Sequence, residues 1–513
     1  MLSEGGAGGL GPYRAPRSGP RIEAPMIDQL YKPSLALLTD LYELTMAYAY
    51  FRSGLAARRA VFHVAFRSLP FAGGYVVASG LEPVIELLGK LRFDGDDLAY
   101  LATLRGADER PLFLPDFLDY LSRLQLTLDV DAVPEGSVVF PHEPLLRVVG
   151  PILEAQLIEA PLLNLLNFHS LVATKAARVC EAAGSVPVVE FGLRRAQGFD
   201  GALGASRAAY VGGCAGTSNV LAGKLLGIPV RGTHAHSWVM CFESELAAFE
   251  AWADALPSLG LFLVDTYRTL DGVRHAIEVG QRLRERGHSL IGIRLDSGDL
   301  AYLSERSRRL LDAAGFVDAI ILASNDLDEH VIQSLRDQGA PIGMWGVGTR
   351  LVTAHDEPAL NGVYKLSALE DAQGNWQPRI KLSEQAAKVS VPGHLQVRRY
   401  SAADGQFLAD AIYETRLGIP RACTIVDPSD MTRRKAIPED APYEDLLVPV
   451  LRRGELVYSA PPLGLVPART RAQLACLHAG IRRFKNPHQY PAGLESGLYE
   501  LRQRLILKAR GIT

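Results

Sequence analysis

The sequence has little cysteine, no strongly basic run and no long apolar stretch. Its five cysteines are Cys180, Cys214, Cys241, Cys423 and Cys476. No two of them are spaced like metal ligands, and this pattern is typical of a reduced, cytoplasmic protein. A formal net charge of −3 without a basic cluster argues against nucleic acid as a partner. No stretch reaches the roughly 18 consecutive apolar residues of a membrane span, so no membrane association is expected.

A chain of 513 residues is long enough for two or three domains. Residues 1–26 are rich in glycine, proline and arginine and lack the apolar core of a secretory signal, which predicts a disordered leader. Residues 27–172 are predicted to form an α+β domain and residues 173–369 a β/α barrel whose last strand is Val363–Leu366. Residues 370–513 have the short strands and charged turns of a β-rich domain, and they end in helices.

The barrel is predicted from apolar runs that each end in a polar residue. These runs are Val186–Glu190, Ile228–His236, Leu261–Asp265, Leu290–Asp296 and Ile320–Asn325. From His236 onward the polar ends recur about every 30 residues, with helix-like sequence between them, as in β/α barrels. The carboxyl ends of barrel strands share one face, which carries the active site in such folds. The pattern therefore indicates an enzyme.

A glycine turn follows a late strand of the predicted barrel. Gly346 and Gly348 would let main-chain amides approach an anion, and Thr349 adds a hydroxyl. Late strands of these barrels often build a phosphate site at this position. The alternative is a turn that only reverses the chain. Its place in the barrel order favours phosphate binding.

Another strand end combines a cation with a carboxylate. Asp296 suits a ribose diol or a metal-bound diphosphate, and Arg294 suits a carboxylate or the face of a flat ring. The alternative is an ion pair that only stiffens a loop. Gly298 favours a site, because a ligand can approach the main chain there.

Two histidines, His234 and His236, lie at the end of a predicted strand. A His-x-His pair at this place holds zinc in metal-dependent amidohydrolases, which is one interpretation. The later strand ends supply Asp265, Asp296 and Asn325 but no further histidine. A single histidine that acts as acid, base or phosphoryl acceptor is therefore the favoured interpretation.

Glu190 begins a segment with an aromatic ring and two cations. Phe191 is placed to stack on a planar ring, and Arg194 or Arg195 to meet phosphate groups. The alternative is that Phe191 is an ordinary core residue. Residues 212–219 form a small polar loop before a helix, where free amides favour an anion.

Seven motifs together closely resemble the nicotinate phosphoribosyltransferase family, in the family's order, between about Leu35 and Leu501. The motifs are Thr39–Tyr42, Glu190–Gly198, Gly216–Gly223, Gly232–Ser237, Arg294–Asp299, Gly346–Thr349 and Asn486–Pro491. The resemblance implies an irregular β/α barrel of the type II phosphoribosyltransferase kind. It also implies a homodimer with active sites shared between subunits.

The resemblance further implies a reaction of NAD salvage. Nicotinate and phosphoribosyl diphosphate give nicotinate mononucleotide and diphosphate, and the reaction is coupled to the hydrolysis of ATP to ADP and phosphate. Mg²⁺ is expected with the diphosphate and with ATP. Because the pyridine nitrogen needs no deprotonation, no strong general base is required.

By position in the motifs, two residues are expected to be catalytic. His236 matches the histidine that ATP phosphorylates transiently, and Asp296 matches the residue that meets the ribose. Phe191 matches the stacking aromatic residue, Arg294 meets the pyridine substrate, and Tyr42 reaches in from the partner subunit.

The remaining matches concern anions and specificity. Gly346, Gly348 and Thr349 match the residues that hold the 5′-phosphate, and Thr233 lies beside the nicotinate carboxylate. Ser218 matches the position of an aspartate in the related enzymes that use nicotinamide. A carboxylate would repel nicotinate, so the neutral serine favours the acid over the amide.

His234 departs from the family pattern, where a less polar residue is expected. Besides the amidohydrolase that uses His234 and His236, two other hypotheses stand. One is an inactive barrel that serves as a binding protein. The other is a quinolinate phosphoribosyltransferase, which is ranked lower because quinolinate has two carboxylates and demands a denser cluster of cations.

Overall fold

The computed structural model describes residues 34–385 and 388–512, so the predicted leader at residues 1–26 lies outside the described residues. The first described helix is Leu41–Arg52, which begins directly after Asp40. The Thr39 hydroxyl donates to the buried carboxylate of Glu43 in its first turn. This places Tyr42 at the start of the helix.

A seven-stranded antiparallel sheet forms the first layer. In spatial order its strands are Trp376–Pro378, Val363–Glu370, Arg59–Ala65, Leu146–Pro151, Asp129–Ala132, Val448–Arg452 and Glu455–Leu456. The prediction that Val363–Leu366 is the last barrel strand is wrong, because this segment pairs antiparallel with Arg59–Ala65. An apolar run predicts a strand but carries no information about which sheet the strand joins.

Short helices and a small two-stranded sheet pack beside the first layer. The small sheet pairs Val76–Val77 with Val138–Val139. The helices are Leu81–Lys90, Gly95–Thr103, Pro115–Ser122 and Ile152–Leu157, followed by the long helix Glu159–Ala183. Proline at the first position starts Pro115–Ser122, as its fixed φ favours. The long helix leads directly into the barrel.

The barrel contains six parallel strands. In spatial order they are Gly216–Thr217, Val188–Glu190, Met344–Val347, Ile320–Ala323, Gly292–Leu295 and Leu261–Leu263. The predicted β/α barrel is confirmed, and four of the five predicted runs contain strands. The run Ile228–His236 is the exception, because only Val230 makes a bridge, to Thr217.

Helices follow the barrel strands and cover the outside. They are Gly198–Val211, Val220–Leu226, His236–Met240, Glu245–Ala255, Thr269–Glu285, Leu300–Ala313, Glu329–Asp337 and Thr349–Val352. Side chains of Asn219, Asp299 and Asp328 cap the helices that follow them. These caps satisfy free N–H groups at the first turns.

The C-terminal part contains a six-stranded sheet with helices beside it. Its strands, in spatial order, are Arg434–Ile437, Cys423–Val426, Ala492–Glu495, Phe407–Glu414, Leu395–Ser401 and Tyr443–Asp445. Its helices are Val466–Ala475, Ala479–Arg482 and Ser496–Ala509. The β-rich character and the final helix agree with the prediction. None of the helices in the described part of the chain is long and apolar enough to span a membrane.

Buried ion pairs lie between the long helix and a barrel helix and within the C-terminal sheet. Glu329, at the start of a barrel helix, lies 2.8 Å from Lys175 Nζ and 2.8 Å from Arg178 Nε of the long helix, and all three side chains are buried. Arg399 and Asp410 form a fully buried pair in the C-terminal sheet. Removing one partner of such a pair leaves an uncompensated buried charge, which is costly.

Candidate active site

Arg294 is the centre of the polar cluster at the carboxyl ends of the barrel strands. Its Nε donates to Ser324 Oγ at 2.9 Å, one terminal nitrogen donates to Thr233 Oγ1 at 3.2 Å, and the other donates to Asp296 Oδ1 at 2.9 Å. Ser324 Oγ also donates to Asp296. The side chain is therefore fixed by residues that follow two barrel strands and by Thr233, in the irregular segment before His236.

The ring of Phe191 packs against this cluster. The guanidinium carbon of Arg294 lies 5.5 Å from the ring centroid. A methyl group on Gly346 would come within 2.6 Å of the ring, so only glycine leaves room for Phe191 at this place. This packing holds the ring of Phe191 in one position beside Arg294 and Gly346.

His236 begins the short helix His236–Met240 and faces the cluster. Its Nδ1 lies 3.1 Å from Thr266 Oγ1, and its Nε2 lies 3.8 Å from Asp296 Oδ2. The side chain is 40% exposed, so solvent or a ligand can reach it. Thr266 therefore holds one nitrogen and leaves the other directed toward Asp296.

Asp265, Thr266 and Ser324 belong to the cluster but were not among the predicted site residues. Asp265 Oδ2 accepts from the main-chain N–H of Asp296 at 2.9 Å and from Ser297 Oγ at 2.6 Å. Its Oδ1 is buried and has no hydrogen-bond partner among the described residues. The sequence does indicate these three residues, because they stand at or beside the polar ends of predicted strands.

His234 lies outside the cluster and points into the protein. Its Nε2 accepts the main-chain N–H of Leu263 at 3.2 Å, and burial lowers the pKa of its imidazole to about 4. A nitrogen used in this way is not free to bind metal. Among the described residues, moreover, no three histidine, cysteine or acidic side chains gather as a metal site. The structure gives no support to the amidohydrolase that uses His234 and His236.

Glu190 has a structural role at its strand end. Its buried carboxylate accepts from the main-chain N–H of Gly192, from Ser206 Oγ at 2.9 Å and from Thr217 Oγ1 at 2.5 Å. These bonds tie the turn after Phe191 to the neighbouring strand. The backbone that presents Phe191 is thereby fixed.

The glycine turn lies next to Phe191. Gly348 precedes the short helix Thr349–Val352, and a methyl group on Gly348 would be 3.4 Å from the main-chain oxygen of Phe191. Arg350 in this helix makes an ion pair with the buried Asp328 at 2.5 Å. The turn therefore lies against the main chain of Phe191, and the ion pair fixes the helix that follows it.

The backbone after the strand Ile320–Ala323 is strained. Asn325 and Asp326 both have positive φ, at 95° and 39°, and both are exposed. Such conformations are costly outside glycine and cluster at functional sites. Both residues directly follow Ser324, whose side chain belongs to the cluster.

Three predicted residues are not in contact with the cluster. Ser218 directly follows the strand Gly216–Thr217, is half-buried, and donates its N–H to the Glu190 carbonyl at 2.9 Å. Arg194 is exposed in a short turn, Leu193–Arg195. Tyr42 is 46% exposed on the first helix, where partial burial and the nearby carboxylate of Glu159 raise the pKa of its hydroxyl.

A parallel β/α barrel, with a cation, a ring, a carboxylate and an exposed histidine together at its carboxyl face, defines the class of this protein as a barrel enzyme. Three family models cover the chain. The nicotinate phosphoribosyltransferase N-terminal domain matches residues 37–167, the nicotinate phosphoribosyltransferase family matches residues 186–388, and its C-terminal domain matches residues 395–502.

Individual relatives agree with these matches. The chain is 41% identical to nicotinate phosphoribosyltransferase of Bacillus subtilis, covering 92% of this chain and 95% of that one. It is 35% identical to the human protein of that name, covering 91% and 95%. The crystal structure of human nicotinic acid phosphoribosyltransferase superposes with a TM-score of 0.80, at 33% identity over 91% of this chain and 99% of that one. The chain belongs to the nicotinate phosphoribosyltransferase family.

Proposed function

We propose that the protein is a nicotinate phosphoribosyltransferase, which joins nicotinate to phosphoribosyl diphosphate in NAD salvage. The observation that carries the proposal is the fixed group of Arg294, Phe191 and Thr233 beside the carboxylate of Asp296. The cation and the aromatic ring suit a flat anionic substrate, and the carboxylate suits the hydroxyl groups of a ribose. Family membership supports the same reaction.

The proposed binding position of nicotinate follows from the N–H groups of Arg294 that remain free. Arg294 has five N–H groups, and three of them are used by Ser324, Thr233 and Asp296. The remaining two suit the nicotinate carboxylate as a charge-assisted pair. The pyridine ring stacks on Phe191, and Thr233 lies at the carboxylate end.

The transfer itself requires orientation rather than a strong base. The pyridine nitrogen forms a bond to ribose C1 with its own lone pair, while the bond from C1 to the diphosphate oxygen breaks. Asp296 accepts hydroxyl groups of the ribose and stabilises the positive charge that develops on the ring. Gly346, Gly348 and Thr349 hold the 5′-phosphate through amide and hydroxyl groups. Stacking and these bonds set the attack geometry.

Mg²⁺ fits the acidic end of the cluster. The buried Oδ1 of Asp265 has no hydrogen-bond partner among the described residues, which suits a hard cation. Asp265 and Asp296 are the residues that would hold the ion. When bound, Mg²⁺ neutralises charge on the departing diphosphate.

ATP acts as a second substrate through His236. With Thr266 accepting from Nδ1–H, the lone pair of Nε2 is free to attack the terminal phosphorus of ATP. The new bond joins Nε2 to phosphorus, the bond to the ADP oxygen breaks, and water later releases phosphate from the histidine. Asp296, 3.8 Å away, stabilises the positive charge on the imidazole.

The remaining parts of the proposal concern assembly and location. In a homodimer, Tyr42 of one subunit reaches the nicotinate of the other, which accounts for its exposed position far along the chain from the cluster. Arg194, also exposed, meets substrate phosphates. All five cysteines are free thiols, which suits the cytoplasm.

Ser218 sets the preference for the acid over the amide. It lies half-buried at a strand end of the barrel, next in the chain to Thr217, which bonds Glu190. An aspartate here would repel nicotinate and accept from a carboxamide. We expect Ser218→Asp to shift the ratio of kcat/KM toward nicotinamide. A ratio that stays the same would contradict this assignment.

The experiment that tests the function measures product from phosphoribosyl diphosphate and Mg²⁺ with nicotinate or nicotinamide, each with and without ATP. Nicotinate mononucleotide that forms faster with ATP, with little product from nicotinamide, is the expected result. Replacement of His236 by asparagine should abolish the ATP stimulation and leave basal transfer. If neither base gives a nucleotide, the proposal is wrong.

A further inference from the structure

The barrel is closed by an irregular segment rather than by a regular strand. Val230 bridges to Thr217 at one edge of the six-stranded sheet, and four residues later His234 contacts Leu263 at the other edge. The segment between these points makes no ladder with Leu261–Leu263. It nevertheless carries Thr233 and leads into His236, which are both in the candidate site.

The hydrogen bond between Leu263 and His234 takes the place of a bond to a neighbouring strand. Leu261–Leu263 pairs only with Gly292–Leu295 among the described strands, and Val264 N–H donates to Arg294 O at 3.2 Å on that side. Alternate N–H groups of a strand point to opposite sides, so the Leu263 N–H points to the open edge. Leu263 is buried, and its N–H reaches the imidazole Nε2 of His234.

The imidazole is held by an aromatic cage. Its ring centroid lies 5.0 Å from Trp252, 6.0 Å from Phe249 and 6.4 Å from Phe262. Nδ1 faces the main-chain oxygen of Ala235 at 3.4 Å, which assigns its proton to Nδ1 and leaves Nε2 as the acceptor. A neutral imidazole in this tautomer satisfies the otherwise orphaned N–H.

Trp252 fixes the chain on both sides of His236. Trp238, in the first turn of the helix that His236 begins, packs edge-on against Trp252 with centroids 5.6 Å apart. Trp238 Nε1 donates to Ala248 O at 3.0 Å. His234 and Trp238 stand two residues before and two residues after His236, and both rest on the same indole.

We propose that His234 is a positioning residue whose hydrogen bond to Leu263 holds His236 in register to accept phosphate. The inference rests on the proposed function. His234 is not a catalytic residue, since it faces the aromatic cage and not the Arg294 cluster. A displacement of about 1 Å in a reacting group can cost roughly a hundredfold in rate, so the anchor has a measurable effect.

Two variants separate the hydrogen bond from the packing. His234→Gln retains an acceptor oxygen near the place of Nε2, whereas His234→Leu fills similar space without an acceptor. The matched control is His275→Gln, on an outer helix where His275 pairs with Glu245 at 2.9 Å. The main readout is acid-labile phosphate incorporated from ATP labelled in its terminal phosphate. The second is the ratio of ATP-stimulated to basal transfer.

We expect His234→Leu to slow phosphate incorporation at least about tenfold and to lower the ratio, because the anchor acts through the rigid position of His236. His234→Gln and His275→Gln should stay within about threefold of the wild type. A loss of folded protein lowers both transfer rates together and leaves the ratio unchanged. A wild-type rate in His234→Leu, or equal losses in both His234 variants, would overturn the proposal.

A measurement on the wild-type protein covers the case in which His234→Leu does not fold. Nitrogen-15 spectra of histidine-labelled protein, assigned with His234→Gln, report which imidazole nitrogen carries the proton. An unprotonated Nε2 at neutral pH is expected, and a protonated Nε2 refutes the anchor. If the wild-type protein incorporates no phosphate, the proposed role of His236 is wrong. The tautomer of His234 then still shows whether its Nε2 can accept the hydrogen bond from Leu263.

Discussion

Replacing Gly346 by alanine tests whether the ring of Phe191 must lie where the structure holds it. The added methyl carbon would be 2.6 Å from both Cδ2 and Cε2 of the ring and 3.4 Å from Ser324 Cβ. Carbon atoms pack at about 3.5–4.0 Å, so the ring must retreat by about 1 Å. The φ of Gly346 is not positive, so the variant adds no backbone strain.

The displacement should appear mainly in catalysis. Overpacking of this kind costs about 1–3 kcal/mol of stability, which a large protein tolerates. A ring moved by about 1 Å no longer stacks over the substrate beside Arg294, and such shifts cost about 10–100-fold in rate. In free energy this is about 1.4–2.7 kcal/mol of lost transition-state stabilisation. The assay is kcat/KM for nicotinate at saturating phosphoribosyl diphosphate.

Two other glycines are the controls. Gly348→Ala places its methyl group 3.4 Å from the Phe191 carbonyl oxygen, an ordinary contact, and should raise the KM for phosphoribosyl diphosphate more than that for nicotinate. Gly89→Ala, in the helix Leu81–Lys90 with nothing within 4 Å, should leave both unchanged. Gly346→Ala with kcat/KM for nicotinate within twofold of wild type would refute the role of the ring.

Three further substitutions test the surroundings of the site. Burial raises the pKa of Glu43 to about 7, above its unfolded value of 4.5, so the wild type loses stability as pH rises from about 4.5 through 7. The free energy of unfolding of Glu43→Gln, measured by chemical unfolding, should therefore rise by about 2 kcal/mol relative to that of the wild type between pH 5 and pH 8. A difference that does not depend on pH would contradict this. Glu329→Gln leaves the buried cations Lys175 and Arg178 without their carboxylate and should cost about 3–5 kcal/mol, seen as a fall of several degrees in Tm; an unchanged Tm would be inconsistent with the pairs. Asp265→Asn should raise the Mg²⁺ concentration for half-maximal activity about tenfold or more, and an unchanged Mg²⁺ titration would remove Asp265 from the metal site.

The barrel could be predicted from sequence because its strands are buried on both faces. Runs such as Ile320–Ala323 are continuously apolar and end in polar residues at one face, so local pattern and position in the fold agree. The choice of sheet could not be predicted. Val363–Glu370 begins with an apolar run like a barrel strand but contains Lys365 and Ser367, and its pairing with Arg59–Ala65 assigns it to the other sheet.

The residue types of the candidate site could be predicted from the sequence. The contacts between them and the orientations of their side chains could not. Arg294, Asp296 and Phe191 stand at strand ends, and the structure brings them together. The opposite orientations of His234 and His236 could not be read from a His-x-His pattern. The run Ile228–His236 is not a strand, so the alternation of side chains that the pattern assumes does not apply.

The seven-stranded sheet has a consequence for synthesis of the chain. Its neighbouring strands Arg59–Ala65, Asp129–Ala132, Val363–Glu370 and Val448–Arg452 come from widely separated parts of the sequence. A ribosome that adds about 5–20 residues per second needs tens of seconds to pass from the first of these strands to the last. During that time the early strands have unpaired edges, which attract other chains. Chaperone demand on the nascent protein should therefore be highest before residue 448 emerges, and shortening the chain from its carboxyl end should favour aggregation over a smaller active enzyme.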